Sequence, residues 1–430
     1  MSQKVLAFER KTLTGNITVP GDKSISHRAV MFGSLAEGKT KITNFLAGED
    51  CLSTIGAFQA MGVSIHREEN TVLIESAGVN GLKEPVQPID LGNSGTTARL
   101  LMGILAGLPF HFALYGDDSL SKRPMDRIAN PLRKMGAKID GRENGRLLPI
   151  AIRGGHLSPI DFKPPVKSAQ VKSGVLLAGL LTDGVTTVEE VTKTRDHTEN
   201  MLKAFGADID VEGTKVKITG NKKLTGCDIE VPGDISSAAF FLVAAAITEG
   251  SQITIENVGL NPTRTGIIDV LKLMNVSIQV IEKRTIGGEP IGDITVQASQ
   301  PKATVIEGDI IPRIIDEIPI IALLATQAAG QTVIKDAEEL RFKETDRIES
   351  VVNTLSRLGA TISGTKDGMI IEGNTQLHGG VTESYGDHRI GMMIAVASLL
   401  TDEKVELHDD ECISISYPTF FEHLHSLLSN

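Results

Sequence analysis

Phe205-Gly206-Ala207-Asp208-Ile209 decides the fold, because the chain repeats it. Met61-Gly62-Val63-Ser64-Ile65, Met135-Gly136-Ala137-Lys138-Ile139 and Leu358-Gly359-Ala360-Thr361-Ile362 are variants of the same helix stop and strand start. Glycine permits the left-handed turn that ends a helix, and the alternating residues after it begin a strand. Working outward, the segments Ala57–Ile74, Asn130–Ile152, Thr198–Ile218, Ile267–Val296 and Val351–Ile371 each read as an amphipathic helix followed by two short strands. Six other segments read as a helix of small apolar residues, a turn and a strand: Arg28–Phe45, Thr96–Leu114, Ser173–Val188, Ser236–Ile255, Ile318–Ile334 and Arg389–Leu407. The period is about seventy residues, the mark of stacked supersecondary units. The unit is α-β-α-β-β in six copies, the last ragged and ending at Asn430. Helices apolar on most faces must be enclosed. The expected fold is α/β, with three such helices inside a coat of sheets and outer helices, built twice.

A second repeat supports the halves. Val19-Pro20-Gly21-Asp22 recurs as Val231-Pro232-Gly233-Asp234, in each case between a strand and a buried helix. Paired hinges near 19–21 and 231–233 are expected, with one domain at 20–230 and the other at 1–19 plus 231–430. Two unrelated turns are the plainer reading of the twin alone.

At 430 residues the chain can hold two domains with substantial cores. Its composition is that of a globular protein, with cores drawn from Ile, Leu, Val and Ala because Trp is absent. A net charge of −11 argues against nucleic-acid or membrane-surface partners. Cys51, Cys227 and Cys412 are far apart and share no metal spacing, which points to a reducing compartment. Lys4, Glu9, Arg10 and Lys11 leave no signal-peptide apolar region, and the longest apolar runs are too short to span a bilayer. A cytoplasmic location is expected.

The polar motifs stand just before the buried helices. Lys23, Ser24 and Arg28 crowd the first turn of the first one. Cations are unfavourable at a helix N-terminus unless an anion binds there. Gly21-Asp22-Lys23-Ser24 misses the phosphate-loop pattern, so a phosphate or carboxylate site of another kind remains, beside the plainer reading of Ser24 as a cap. Gly92-Asn93-Ser94-Gly95-Thr96-Thr97 opens the second helix, as a ligand loop or an ordinary glycine turn. Lys122-Arg123-Pro124-Met125-Asp126-Arg127 carries three cations and also reads as a capped, solvated helix start. Ser168-Ala169-Gln170 offers hydrogen-bonding groups at the third helix, and Thr194–Glu199 is similarly polar. Asp316 and Glu317 precede the fifth helix, as dipole partners or as a general base. Arg341–Arg347 is the densest charge cluster. The spacing of Lys343 and Arg347 predicts one shared helix face, with Glu344 beside them as an ion-pair partner or an acid. Gly386-Asp387-His388-Arg389 caps the sixth helix. Lys23, Arg28, Arg123, Lys343, Arg347 and Arg389 thus lie at or near buried elements. Unpaired, each would cost several kcal/mol; either acids or small anionic ligands must neutralise them.

Taken in order, Pro20–Arg28, Gly92–Thr97, Arg123-Pro124-Met125, Ser168-Ala169-Gln170, Lys343–Arg347 and Gly386–Arg389 resemble the motifs of the enolpyruvylshikimate-phosphate synthase family over essentially the whole chain, in its class II branch. The resemblance implies an inside-out α/β barrel of two similar domains, each of three βαβαββ units. It implies transfer of enolpyruvyl from phosphoenolpyruvate to the 5-hydroxyl of shikimate 3-phosphate, by addition and elimination through a tetrahedral intermediate. It implies a monomer with no metal or organic cofactor. Shikimate 3-phosphate would be held by Lys23, Ser24, Arg28, Ser168, Ala169 (through its backbone), Gln170, Arg195, Asp316 and Lys343. Phosphoenolpyruvate would be held by Lys23, Gly95, Arg123, Gln170, Glu344, Arg347 and Arg389, with Asn93 and Thr96 as further candidates. Glu344 would protonate the methylene carbon, Asp316 would accept the hydroxyl proton and Lys23 would serve both substrates. Domain closure would expel water and align them. Two positions depart from the family: Ile415-Ser416-Tyr417-Pro418 lacks a Lys found in many relatives, and Leu100 stands where many have Pro. The rival readings are a UDP-sugar enolpyruvyl transferase, whose reactive Cys is missing from the loop Tyr115–Arg123, and a non-catalytic phosphate-binding protein, which would need neither Glu344 nor Asp316.

Overall fold

Six helices rich in apolar residues organise the chain: α1 (Lys23–Leu35), α2 (Gly95–Ala106), α3 (Ala169–Leu180), α4 (Ile235–Ile247), α5 (Ile318–Thr326) and α6 (His388–Ala397). Each is buried along nearly its whole length and is followed by a strand, as the repeat predicts. The computed structural model describes residues 2–428, so the outermost ends of the expected domain at Met1, Ser429 and Asn430 lie outside the described residues. The helix stops also take the predicted form. Gly62, Gly136, Gly206 and Gly359 have positive φ, and Asn275 plays the same part in the fourth copy.

Among the described residues one strand order runs through six sheets, the sixth lacking the last strand. In the second copy, Ile89–Asp90 runs parallel to His111–Tyr115, which pairs antiparallel with Ile150–Arg153, which pairs antiparallel with Lys138–Gly141. Three strands come from distant parts of the chain. Ile229–Glu230 lies parallel to Glu37–Thr43, Thr14–Thr18 lies parallel to Gln252–Gly259, and Gln3–Leu6 pairs antiparallel with Val405–His408. The sixth sheet has three strands where the others have four. The fold class is therefore α/β built on a sixfold repeat.

The chain divides into two compact units, Met1–Pro20 with Pro232–Arg284 and Pro290–Asn430, and Gly21–Val231 with Thr285–Glu289. These bounds differ by one residue at each crossing from the expected 20–230 and 1–19 with 231–430. They also add Thr285–Glu289 to the second unit, where Glu289 Oε1 meets His197 Nδ1 at 2.8 Å. Each unit has its own core, α1–α3 in one and α4–α6 in the other.

Candidate active site

In the 21–231 unit the polar groups cluster at the N-terminal ends of α1, α2 and α3. The Asp22 carboxylate accepts from Ile25 N at 2.9 Å and caps α1, which brings Lys23 and Ser24 to its first turn. Lys23 Nζ lies 3.1 Å from Asp50 Oδ2, on the neighbouring helix Glu49–Ala60. Arg28 is buried one turn further in. Its Nε donates to Thr198 Oγ1 at 2.7 Å, one terminal nitrogen to Ser173 Oγ at 3.0 Å and the other to the Ser24 carbonyl at 3.0 Å. Between them, His27 Nδ1 meets Thr54 Oγ1 at 2.7 Å, and Thr54 meets Thr97 of α2 at 2.7 Å. Burial, with Lys23 and Arg28 nearby, holds the His27 ring well below the usual histidine pKa, against the opposing pull of Asp22.

Ser94, not Asn93, caps α2 by accepting from Thr97 N. Asn93 is used otherwise: its carbonyl and its Oδ1 both accept from Arg123, at 3.1 and 2.5 Å. Gly95 leaves room for two arginine side chains. A Cβ there would lie 2.9 Å from an Arg99 nitrogen and 3.5 Å from an Arg123 nitrogen, so two guanidinium groups converge on the same missing side chain. Arg99 donates to Gln170 Oε1 at 2.6 Å, and Gln170 donates to Thr96 Oγ1 at 3.0 Å. Ser168 occupies the cap position of α3 without making a side-chain cap bond, and Ala169 is the first helical residue. Arg195 lies half-buried in the stretch before helix His197–Ala204.

The 232–430 unit gathers its charges around Arg347, which is 1% exposed. Its Nε donates to Asp387 Oδ2 at 2.7 Å, one terminal nitrogen to Asp316 Oδ1 at 3.1 Å and the other to Glu344 Oε2 at 2.6 Å. Burial works against its charge, but Asp387, Glu344 and Asp316 outweigh burial and push its pKa further up. Lys343 Nζ approaches the same Asp316 oxygen at 3.5 Å. Arg389 donates to the Asp316 carbonyl at 3.0 Å, and its own N–H is capped by Asp387 at 2.9 Å. The expected shared helix face of Lys343 and Arg347 is corrected. Asp346 caps a helix that begins at Arg347, and Lys343 lies before it in extended backbone. The two cations still meet, through Asp316.

Sequence reading missed Asp50, Arg99 and the second use of Asp387. Arg99 carried a signal: it is the one charged residue of α2, four residues after Gly95. Asp50 had none, since it reaches Lys23 across a separate helix. At the two departures, Leu100 is buried in the core. Tyr417 is buried among Phe241 and Phe420, with its hydroxyl 2.7 Å from His423 Nδ1, so that segment is anchored by apolar contacts. Among the described residues no group of three or more His, Cys, Asp or Glu side chains is arranged to hold a metal ion. Among them, too, no helix is long and apolar enough to cross a membrane.

Residues 8–424 match the family model of EPSP synthase (3-phosphoshikimate 1-carboxyvinyltransferase). The 3-phosphoshikimate 1-carboxyvinyltransferase of Bacillus cytotoxicus is 58% identical over 417 residues, 97% of this chain and 98% of that protein. That of Geobacillus kaustophilus is 59% identical over 419 residues, with 97% and 98% covered. A solved structure of EPSP synthase from Acinetobacter baumannii superposes with a TM-score of 0.88 at 47% identity, covering 99% of this chain and 98% of that one.

Proposed function

Because the chain belongs to the EPSP synthase family, we propose how its residues divide the work of that family's reaction. The enzyme transfers the enolpyruvyl group of phosphoenolpyruvate to the 5-hydroxyl of shikimate 3-phosphate and releases phosphate, a step of aromatic amino-acid biosynthesis. A UDP-sugar acceptor and a non-catalytic role are left without support by relatives of one activity along the whole chain.

Lys23, Ser24, Arg28, Ser168, Ala169, Gln170, Arg195, Asp316 and Lys343 hold shikimate 3-phosphate. Lys23, Gly95, Arg123, Gln170, Glu344, Arg347 and Arg389 hold phosphoenolpyruvate, with Asn93 and Thr96 orienting Arg123 and Gln170. In the addition step the 5-hydroxyl oxygen bonds to C2 of phosphoenolpyruvate, Asp316 takes the hydroxyl proton and Glu344 gives a proton to the methylene carbon. In the elimination step the methyl group returns a proton to Glu344, the double bond re-forms, the C–O bond to phosphate breaks and the departing phosphate takes up the proton that Asp316 had accepted, which restores both carboxyl groups. The cations stabilise the phosphate and carboxylate charge that redistributes on the way. One observation carries the assignment: a single guanidinium, Arg347, fixes both carboxylates, Asp316 at 3.1 Å and Glu344 at 2.6 Å. An acid and a base held on one rigid cation are placed for paired proton transfers.

The Pro-Gly turns at 19–21 and 231–233 act as hinges between domains 20–230 and 1–19 with 231–430, and their motion excludes water during the reaction. The enzyme works as a cytoplasmic monomer without metal or organic cofactor; a single-chain mass in sedimentation and full turnover after chelation are expected.

The test is phosphate release with each substrate omitted in turn and with UDP-N-acetylglucosamine replacing shikimate 3-phosphate. Release should require both substrates and fail with the UDP-sugar. Glu344→Gln should keep substrate binding and lower kcat by about 10²–10⁴-fold. Unchanged turnover in that variant rejects Glu344 as the acid.

A further inference from the structure

Beside Arg28 lies a buried charge cluster to which the proposed function gives no role. Lys172 on α3 is fully buried, with Nζ 2.9 Å from Glu190 Oε2 and 2.8 Å from Glu199 Oε1. Burial would lower the lysine pKa, but Glu199 and Glu190 outweigh burial and raise it. Glu190 also accepts from the Thr194 hydroxyl, closing the stretch that carries Arg195.

Sequence neighbours of this cluster hold Arg28. Ser173 follows Lys172 on α3, and Thr198 precedes Glu199 on helix His197–Ala204. The two helices are therefore joined by two adjacent rungs, Lys172–Glu199 and Ser173–Thr198, and the second is the one that Arg28 grips, with Ser173 Oγ 2.7 Å from Thr198 Oγ1. Helix His197–Ala204 begins without a side-chain cap bond. The buried ion pair supplies a directional tie between this helix and α3.

We propose that Glu199, through Lys172, is a positioning residue for Arg28: the buried rung fixes where the Thr198 hydroxyl stands and hence where the guanidinium presents itself to shikimate 3-phosphate. The inference rests on the assignment of Arg28 to that substrate. Glu199→Asp shortens the reach to Lys172 by one methylene and keeps the charge. A lengthened rung shifts helix His197–Ala204 and loosens Arg28, while the Arg123 side of the site lies on other elements.

The experiment measures kcat and both KM values for Glu199→Asp, with Glu199→Gln as a second variant should the first fail to fold. The expected result is a KM for shikimate 3-phosphate raised about tenfold, with kcat and the KM for phosphoenolpyruvate within about twofold of the parent. In a Thr198→Val background the same substitution should add nothing further, because its effect runs through that hydroxyl. A lowered Tm with both KM values unmoved overturns the proposal, as does an equal rise in both. Arg28→Lys separates the two readings. If it leaves the KM for shikimate 3-phosphate unchanged, the assignment of Arg28 fails; if it raises that KM and the Glu199 variants do not, only the positioning role fails.

Discussion

The two Pro-Gly-Asp turns make the same bend and end in different chemistry. At Pro20-Gly21-Asp22 and at Pro232-Gly233-Asp234 an aspartate caps the next helix, accepting from Ile25 N in one and Ser236 N in the other. Each turn is accompanied by an asparagine in left-handed conformation, Asn44 at φ 54 and Asn257 at φ 55. Beyond the cap they part. The first start continues with Lys23 and Arg28, the second with Ile235 and Phe240 in the same places. The cation at the second start comes from elsewhere. Arg264 donates to Asp234 at 3.2 Å and to Ser236 at 2.6 Å, and Ser236 donates to Glu317, so the groups close on one another. The bend belongs to the repeat, and only its first copy carries the cations to which the proposed function gives substrate binding.

The sharpest test of that difference is Lys23→Met against Ile235→Ala. The first should lower kcat/KM by about 10³-fold, roughly 4 kcal/mol of transition-state stabilisation, with little change in Tm. The second should cost about 2–5 kcal/mol of stability by leaving a cavity, while folded enzyme keeps its kcat/KM. Activity assays paired with urea unfolding read both. A catalytic loss at Ile235 as large as that at Lys23 would break the comparison.

The glycines of the two turns should also differ. A Cβ at Gly21 would lie 2.0 Å from the Asn44 carbonyl oxygen, a backbone atom that cannot turn aside. At Gly233 the nearest atom is Val19 Cγ2 at 2.9 Å, a methyl that can rotate away. Gly21→Ala is expected to destabilise by about 3 kcal/mol or more and Gly233→Ala by about 1 kcal/mol. Equal shifts in the unfolding midpoint would show the turns to be as alike in strain as they are in sequence, and would break this contrast.

How far the sequence showed this follows from how far apart the interacting residues stand. The repeat was legible because apolar helices and glycine stops are local patterns, and the strand order follows once six copies are recognised. Motifs at helix starts were legible for the same reason, down to the cap motif at Asp387, but the cap of the first helix is Asp22 and not Ser24, which lies inside its first turn. Pairs that form through tertiary packing were not. Asp50 reaches Lys23 from another helix, and Arg347 collects Asp316 and Asp387 from two distant segments. Lys343 was misplaced because an i,i+4 spacing looks helical, although Asp346 between the two cations is itself a cap that ends that reading.

The caps give a smaller contrast. Asp22→Ala removes a cap bond worth about 1 kcal/mol. Asp234→Ala removes a cap and also a carboxylate beside the buried Arg264, so a loss of about 3 kcal/mol is expected. Unfolding free energies that rank the other way would mean that Arg264 takes its stabilisation from other neighbours.

The smallest contrast is one of pH. His27 occupies the place that Ala239 fills in the second turn, so only the first helix start has an imidazole at this point. Its ring is fully buried, and burial with Lys23 and Arg28 depresses its pKa. Above about pH 6.5 the ring is neutral in the folded and unfolded chain alike, and it contributes no pH dependence. As the pH falls below that value the unfolded chain takes up a proton that the folded chain refuses, so stability falls, by at most about 1.4 kcal/mol per pH unit. The loss continues down to the depressed folded pKa and then levels off. His27→Gln can keep a hydrogen bond to Thr54 and has nothing to titrate. Its unfolding free energy relative to the parent should rise as the pH is lowered from about 7 to about 5. Parallel curves for the two proteins would mean that the folded chain accepts the proton beside Lys23 and Arg28, and that this helix start tolerates a third positive charge.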